Sequence, residues 1–207
     1  MKISYAITVC NEFTEIQRLV AFLLKHKRAE DSIVILYDAG NGDPKIEEYL
    51  RANSINGEFI WHKDTFNRHF ADWKNKLTSL CTGDFIFQID ADEYPNEALI
   101  NMLPEILEVN KHVDMFMVPR VNTVAGLTDA HVAKWRWHVN ESGYVNWPDY
   151  QTRIYKNNNI VKWKNKVHEV LEGFGEFTFF PQDEDFALFH PKNIVKQEKQ
   201  NSLYNTL

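Results

Sequence analysis

Residues 3–9 form a strand-like apolar run, and behind it Ile16, Leu19, Val20, Leu23 and Leu24 fall at helical spacing. The first pattern predicts a buried strand and the second an amphipathic helix with one apolar face. The alternation then repeats. Ser32 to Tyr37 is a second strand ending at Asp38, followed by the turn signal Ala39-Gly40-Asn41-Gly42. Asp43 then Pro44 reads as an N-cap and a first helical residue, opening a helix to about Asn53. Glu58 to His62 is a third strand. Phe70, Trp73, Leu77 and Leu80 mark a third helix, which Gly83 ends. Asp84 to Ile89 is a fourth strand.

This β-α-β-α-β-α-β order predicts an α/β fold with a mostly parallel sheet and flanking helices. Every loop after a strand then lies on one edge. Those loops carry Asn11-Glu12, Asp38, Asp64 and Asp90-Ala91-Asp92, so an acid follows each of the four strands.

The second half reads differently. Leu99 to Val109 is a helix kinked at Pro104, and Val113 to Val121 a strand. From about residue 122 to 175 the strand-like pieces are short and aromatic. Trp135 and Trp137 alternate with Lys134, Arg136 and His138, which is strand period. This half is expected to be smaller, antiparallel and aromatic-rich, with a polar helical tail over 194–207.

The 207 residues suit one domain with a sizeable core. The net charge of −6 argues against a nucleic-acid partner, because such binding runs on phosphate neutralisation. Cys10 and Cys81 are too few for a disulfide framework, which implies a reducing compartment. The amino-terminal run lacks a signal peptide's cleavage pattern, and no segment has the roughly 18 apolar residues of a membrane span. A cytoplasmic protein is expected.

Asp90-Ala91-Asp92 concentrates the chemistry. It sits at the carboxyl end of a buried strand, where open α/β sheets bind ligands. Two carboxylates one residue apart suit a hard divalent cation together with substrate phosphates. A solvated acidic turn is the competing structural reading.

The pieces Ile7-Thr8-Val9-Cys10-Asn11-Glu12, Asp38-Ala39-Gly40-Asn41-Gly42-Asp43, Asn75, Gly83-Asp84, Gln88-Ile89-Asp90-Ala91-Asp92-Glu93 and Val167-His168-Glu169 stand in an order and spacing that resembles the GT-A glycosyltransferases of the family 2 type. The resemblance covers about residues 3–190. It implies a GT-A, Rossmann-like sheet in a single domain. Residues 1–93 would bind nucleotide, 94–190 would face the acceptor, and 191–207 would form a tail. It implies a nucleotide-diphosphate sugar donor, Mn²⁺ or Mg²⁺, and a glycan, lipid or protein acceptor. For so short a chain, a partner, a homo-oligomer such as a dimer, or a companion domain is expected to complete the acceptor side.

By the same resemblance, Asp92 binds metal, with His168 a second ligand. Asp90 faces the ribose or a metal-bound water. Thr8, Val9, Asn11, Glu12, Asp38, Arg68, Asn75, Asp90 and Ala91 border the nucleotide, with Asp38 favouring a base such as uracil. Imidazole suits Mn²⁺ better than Mg²⁺. Direct displacement at the anomeric carbon, with inversion, needs a carboxylate base. Asp149 is the first candidate, although the usual Glu-Asp pair is missing there, and Glu93 and Glu169 are alternatives. Arg153 reads as a phosphate contact or a structural ion pair. Lys74 and Lys76 read as a solvated helix face, and Trp147 as an acceptor platform.

Two other readings compete. A nucleotidyltransferase shares the sheet and the acidic site but usually has a Gly-rich basic loop after its first strand, which Cys10-Asn11-Glu12-Phe13 is not. A non-catalytic nucleotide-sugar-binding protein of the same fold is the other.

Overall fold

The computed structural model describes residues 1–198. The first half alternates as the apolar pattern predicts: β1 (Ile3–Val9), α1 (Phe13–His26), β2 (Ser32–Asp38), α2 (Pro44–Asn53), β3 (Ile60–Asp64), α3 (Phe70–Leu80) and β4 (Phe85–Asp90). The second half adds β5 (Tyr94–Pro95), α4 (Glu97–Val109), β6 (Met115–Val118), β7 (Arg120–Ala125), α5 (Asp129–Trp135), β8 (Gln151–Lys156), β9 (Lys162–Lys164), β10 (Val170–Glu172), β11 (Phe177–Phe179) and β12 (Leu188–Asn193).

A seven-stranded sheet in the order β11-β6-β8-β4-β1-β2-β3 forms the centre. β1, β2, β3 and β4 run parallel, and β8 enters antiparallel between β4 and β6. The second half therefore completes the sheet of the first. Side-chain alternation divides the core between its two faces. Ile3, Tyr5, Ile7 and Val9 pack with Ile33, Ile35, Tyr37, Phe85, Phe87 and Ile89 beneath α1, α2 and α4. Ala6, Val34, Leu36 and Ile86 face α3 and the β9–β10 hairpin. Strands buried on both faces read as nearly continuous apolar runs, which is why these were legible.

Local signals explain the helix starts. The Asp43 side chain accepts from Lys45 N at 3.0 Å, and Pro44 needs no partner at the first helical position. Asn96 caps α4 in the same way through Ala98 N at 2.8 Å. Leu99, Ile100, Leu103 and Leu107 anchor that helix in the core despite Pro104 inside it.

Four expectations are corrected. Gly83 does not end α3, which stops at Leu80; a Cβ on Gly83 would lie 2.6 Å from Ser4 N, so close backbone approach explains the glycine. The third strand begins two residues later than predicted. The run from Val113 to Val121 is not one strand: Pro119 separates β6 in the central sheet from β7 in a second sheet, β5-β12-β7. Trp135 and Trp137 do not form a strand. Thr128 and His131 make a capping box that starts α5 instead, and its cap bonds outweigh a two-residue alternation.

Residues 194–198 are helical, as expected for the tail, whose remainder lies outside the described residues. No helix among the described residues is long and apolar enough to cross a membrane.

Candidate active site

Parallel register brings the strand ends level. Thr8 lies opposite Asp90, Val9 opposite Tyr37, and Asp38 opposite Asp64. At that edge opens a cavity of about 960 Å³. Thr8, Val9, Asn11, Glu12, Asp38, Arg68, Asp90, Ala91, Asp92, Asp149 and His168 all line it. Asn75 does not. Its amide bridges the Trp163 backbone, donating to the carbonyl at 2.8 Å and accepting from the N–H at 2.9 Å, and so holds β9 on α3. Trp147 is not among the lining residues either; Trp137 is.

The loops after β1 and β2 are knitted by their own acids. Glu12 Oε2 accepts from Cys10 N and Asn11 N, both at 3.0 Å. Asp38 is buried and accepts from Gly40 N and Phe66 N at 3.1 Å and from Asn41 Nδ2 at 2.9 Å. A Cβ on Gly42 would lie 2.3 Å from Asp38 O, so only glycine lets the turn close.

The triplet carboxylates are surrounded by cations. Arg153 Nη2 donates to Asp90 Oδ2 at 2.6 Å. Burial pushes the Asp90 carboxyl upward, but Arg153 and Lys74 outweigh it and hold it at about 2. His190 Nε2 lies 3.4 Å and Lys196 Nζ 3.2 Å from Asp92 Oδ2. Burial again opposes, yet the His190 hydrogen bond and charge, then Lys196 and Lys192, keep Asp92 well below the usual carboxylate range. Arg153 is buried but lines the cavity, and the same Nη2 also donates to Glu93 Oε1 at 2.6 Å.

Asp149 projects into the cavity from the turn before β8. Its Oδ2 accepts from Arg120 Nε at 3.0 Å, Arg120 Nη2 at 2.7 Å and Asn122 Nδ2 at 2.6 Å. Among the described residues its Oδ1 accepts only from Gln151 Nε2, at 3.0 Å, which leaves that oxygen an acceptor position. The two alternative bases fare worse. The Glu93 side chain has 0% exposure and does not line the cavity. Glu169 lines it, but its carboxylate pairs with Lys74 Nζ at 2.5 Å. Lys74 is therefore not on a solvated helix face: it is buried and lies over the Trp163 ring at 4.3 Å. Lys76 is exposed and pairs with Asp64.

Backbone strain also gathers here. Arg68, Asn146, Asp149 and His168 line the cavity with φ of 63°, 54°, 22° and 53°. A left-handed backbone in residues other than glycine is costly and tends to mark functional sites.

Sequence reasoning missed Arg120, Asn122 and His190. Each is separated from its acid partner by long stretches of chain, and β7 and β12 carry no motif that marks them. Parallel pairing places Asn122 opposite His190, and the Asn122 Oδ1 faces His190 Nδ1 at 2.9 Å.

Among the described residues, no three His, Cys, Asp or Glu side chains are grouped closely enough to hold a metal ion by themselves. Asp90, Asp92 and His168 nevertheless line one cavity, and two carboxylates with an imidazole are a suitable donor set. That set fits an ion whose shell is completed by substrate oxygens, and not a closed protein cage.

A family model described as glycosyl transferase family 2 matches residues 4–174. Among solved structures, S. aureus TarS 1-349 in complex with UDP-GlcNAc is similar at 17% identity and a TM-score of 0.63, over 93% of this chain and 59% of that one. S. aureus TarS 1-349 without a stated ligand is similar at 15% identity and a TM-score of 0.61, over 92% of this chain and 60% of that one. The chain thus spans about 60% of the length of these TarS structures. No curated protein matches it significantly.

Proposed function

The chain belongs to glycosyl transferase family 2, and from that membership we propose that it moves a sugar from a UDP-sugar to a glycan, lipid or protein acceptor, with inversion at the anomeric carbon. One observation carries the reading: a single cavity joins the ends of β1, β2 and β4 to Asp149. The similar fold of TarS, whose structures include complexes with UDP-GlcNAc and with UDP, supports a uridine donor.

In this reading residues 1–93 hold the nucleotide. The Thr8–Glu12 backbone borders the nucleoside, and the Asp38 turn limits the base. Asp90, Asp92 and His168 would hold Mn²⁺ or Mg²⁺, which when bound supplies Lewis-acid stabilisation to the departing diphosphate. Asp149 Oδ1 takes the proton from the acceptor hydroxyl. The acceptor oxygen bonds to the anomeric carbon from the opposite face as the carbon–oxygen bond to the diphosphate breaks, and UDP leaves. Arg120 and Asn122 hold the Asp149 carboxylate in place through three hydrogen bonds. Trp137, Val124 and Val145 offer the acceptor an apolar wall.

A thermal-shift titration tests this. UDP with Mn²⁺ at about 100 times its dissociation constant adds about 2.7 kcal/mol of stability. For a chain of this size the midpoint then rises by roughly 5–10 °C. Asp92→Ala abolishes the metal-dependent part. Release of UDP from a panel of UDP-sugars then identifies the donor. No shift with any nucleoside diphosphate would sink the proposal.

Cys10 gives an independent readout. Its half-buried thiol is pushed up to about 12 by burial, then by the Asp38 and Glu12 charges. Only thiolates alkylate, so iodoacetamide at pH 8 should label Cys10 about 10³-fold more slowly than an ordinary cysteine. UDP should slow labelling further, as read by peptide mass spectrometry. Labelling unaffected by saturating UDP would move the nucleotide away from the β1 loop.

A further inference from the structure

Glu93 stands one residue past the triplet, yet it reaches neither solvent nor the cavity. Its Oε1 accepts from Arg120 Nη1 at 2.9 Å and from Arg153 Nη2 at 2.6 Å, and its Oε2 faces Asp90 N at 3.3 Å. Each arginine then holds a second acid that does line the cavity. Arg153 holds Asp90, and Arg120 holds Asp149 through two bonds. The bonded series Asp90–Arg153–Glu93–Arg120–Asp149 runs from the donor side to the acceptor side. A second series, Asp92–His190–Asn122–Asp149, returns to the triplet. With the short backbone between Asp90 and Asp92, the two series close a ring.

We propose that Glu93 is a positioning residue, the hub that fixes the Asp149 base at its working distance from the nucleotide-binding triplet. The inference rests on the reading of Asp149 as base. The charges explain why the hub must be an acid. With Glu93 the five groups carry two cations and three anions, and both arginines share one anchor. Without it each arginine keeps a single acid, and no shared anion links the Asp90–Arg153 pair to the Arg120–Asp149 pair. Stability alone does not require such a hub. Apolar side chains that fill the same volume often serve a buried site equally well, whereas a shared, fully bonded carboxylate fixes geometry.

Glu93→Gln keeps the shape and one acceptor oxygen but removes the charge. The assay is UDP release from the UDP-sugar that the panel identifies, alongside UDP affinity by calorimetry. The expected result is a kcat about 10- to 100-fold lower with the UDP dissociation constant within about twofold, because only the base is displaced. In an Asp149→Asn background the same substitution should cause no further loss, since the group it positions is already gone. A purely structural role would lower both backgrounds alike. If Glu93→Gln fails to fold, Arg120→Lys cuts the same series from the less buried end and should give the same split. Asp149→Asn with near-normal turnover would overturn the base reading and the hub with it. A disabled Asp149→Asn beside an unchanged kcat in Glu93→Gln, or in Arg120→Lys where that variant stands in, would overturn the hub alone.

Discussion

Asp149→Asn is expected to lower glycosyl transfer by about 10²–10⁴-fold while leaving UDP affinity within about twofold. The amide has nearly the same shape and can still accept from Arg120. It cannot take a proton at the reacting oxygen. The surroundings of Asp149 suit the acid for the part: it lines the cavity, one oxygen is saturated by Arg120 and Asn122, and the other is bonded, among the described residues, only to Gln151. Steady-state turnover with the identified UDP-sugar, set beside calorimetric UDP binding, separates the two effects. Normal turnover would move the base elsewhere. A parallel collapse of UDP binding would instead make Asp149 part of the donor site.

The largest effect on stability is expected from Arg153→Met. The Arg153 side chain is 4% exposed, and one nitrogen holds both Asp90 and Glu93 at 2.6 Å. Burial works against its charge, and the two acids more than compensate, raising its pKa above that of an ordinary guanidinium. Removing one member of such a cluster leaves buried charge uncompensated and costs about 3–5 kcal/mol. In a chain of this length that corresponds to a midpoint about 10 °C lower by calorimetry. A midpoint within a degree or two of the native one would mean that Arg120 alone neutralises Glu93.

The convergence of the β1, β2 and β4 ends on one cavity was legible because parallel α/β order obliges every strand to end on the same edge. Once Asp38 and Asp90 were placed after buried runs, their convergence needed no further information. Four things were not legible. Asn75 sits in the right segment, but α3 turns its amide onto Trp163, and a single helical turn decides between site and core. Pro119 divides one apolar run between two sheets, an outcome set by tertiary packing and not by local pattern. Arg120, Asn122 and His190 meet their acids only through pairings of β7 and β12, and cross-strand registers of that range leave no periodic trace along the chain. Glu93 was legible as an acid but not as a buried one, because the arginines that pay its desolvation cost stand 27 and 60 residues away.

The second sheet also has a consequence for biosynthesis. β12 lies between β5 and β7, so neither of those strands has a sheet partner until residues 188–193 have left the ribosome. The central strands β1 to β4 can pair long before that, since amino-terminal parts tend to fold first during translation. A nascent chain can therefore carry a formed β1–β4 sheet edge while His190 is still absent and Asn122 lacks its neighbour. Completion of the second sheet waits for residues 188–193, so the His190–Asn122 contact forms only when nearly all of the described length has been made.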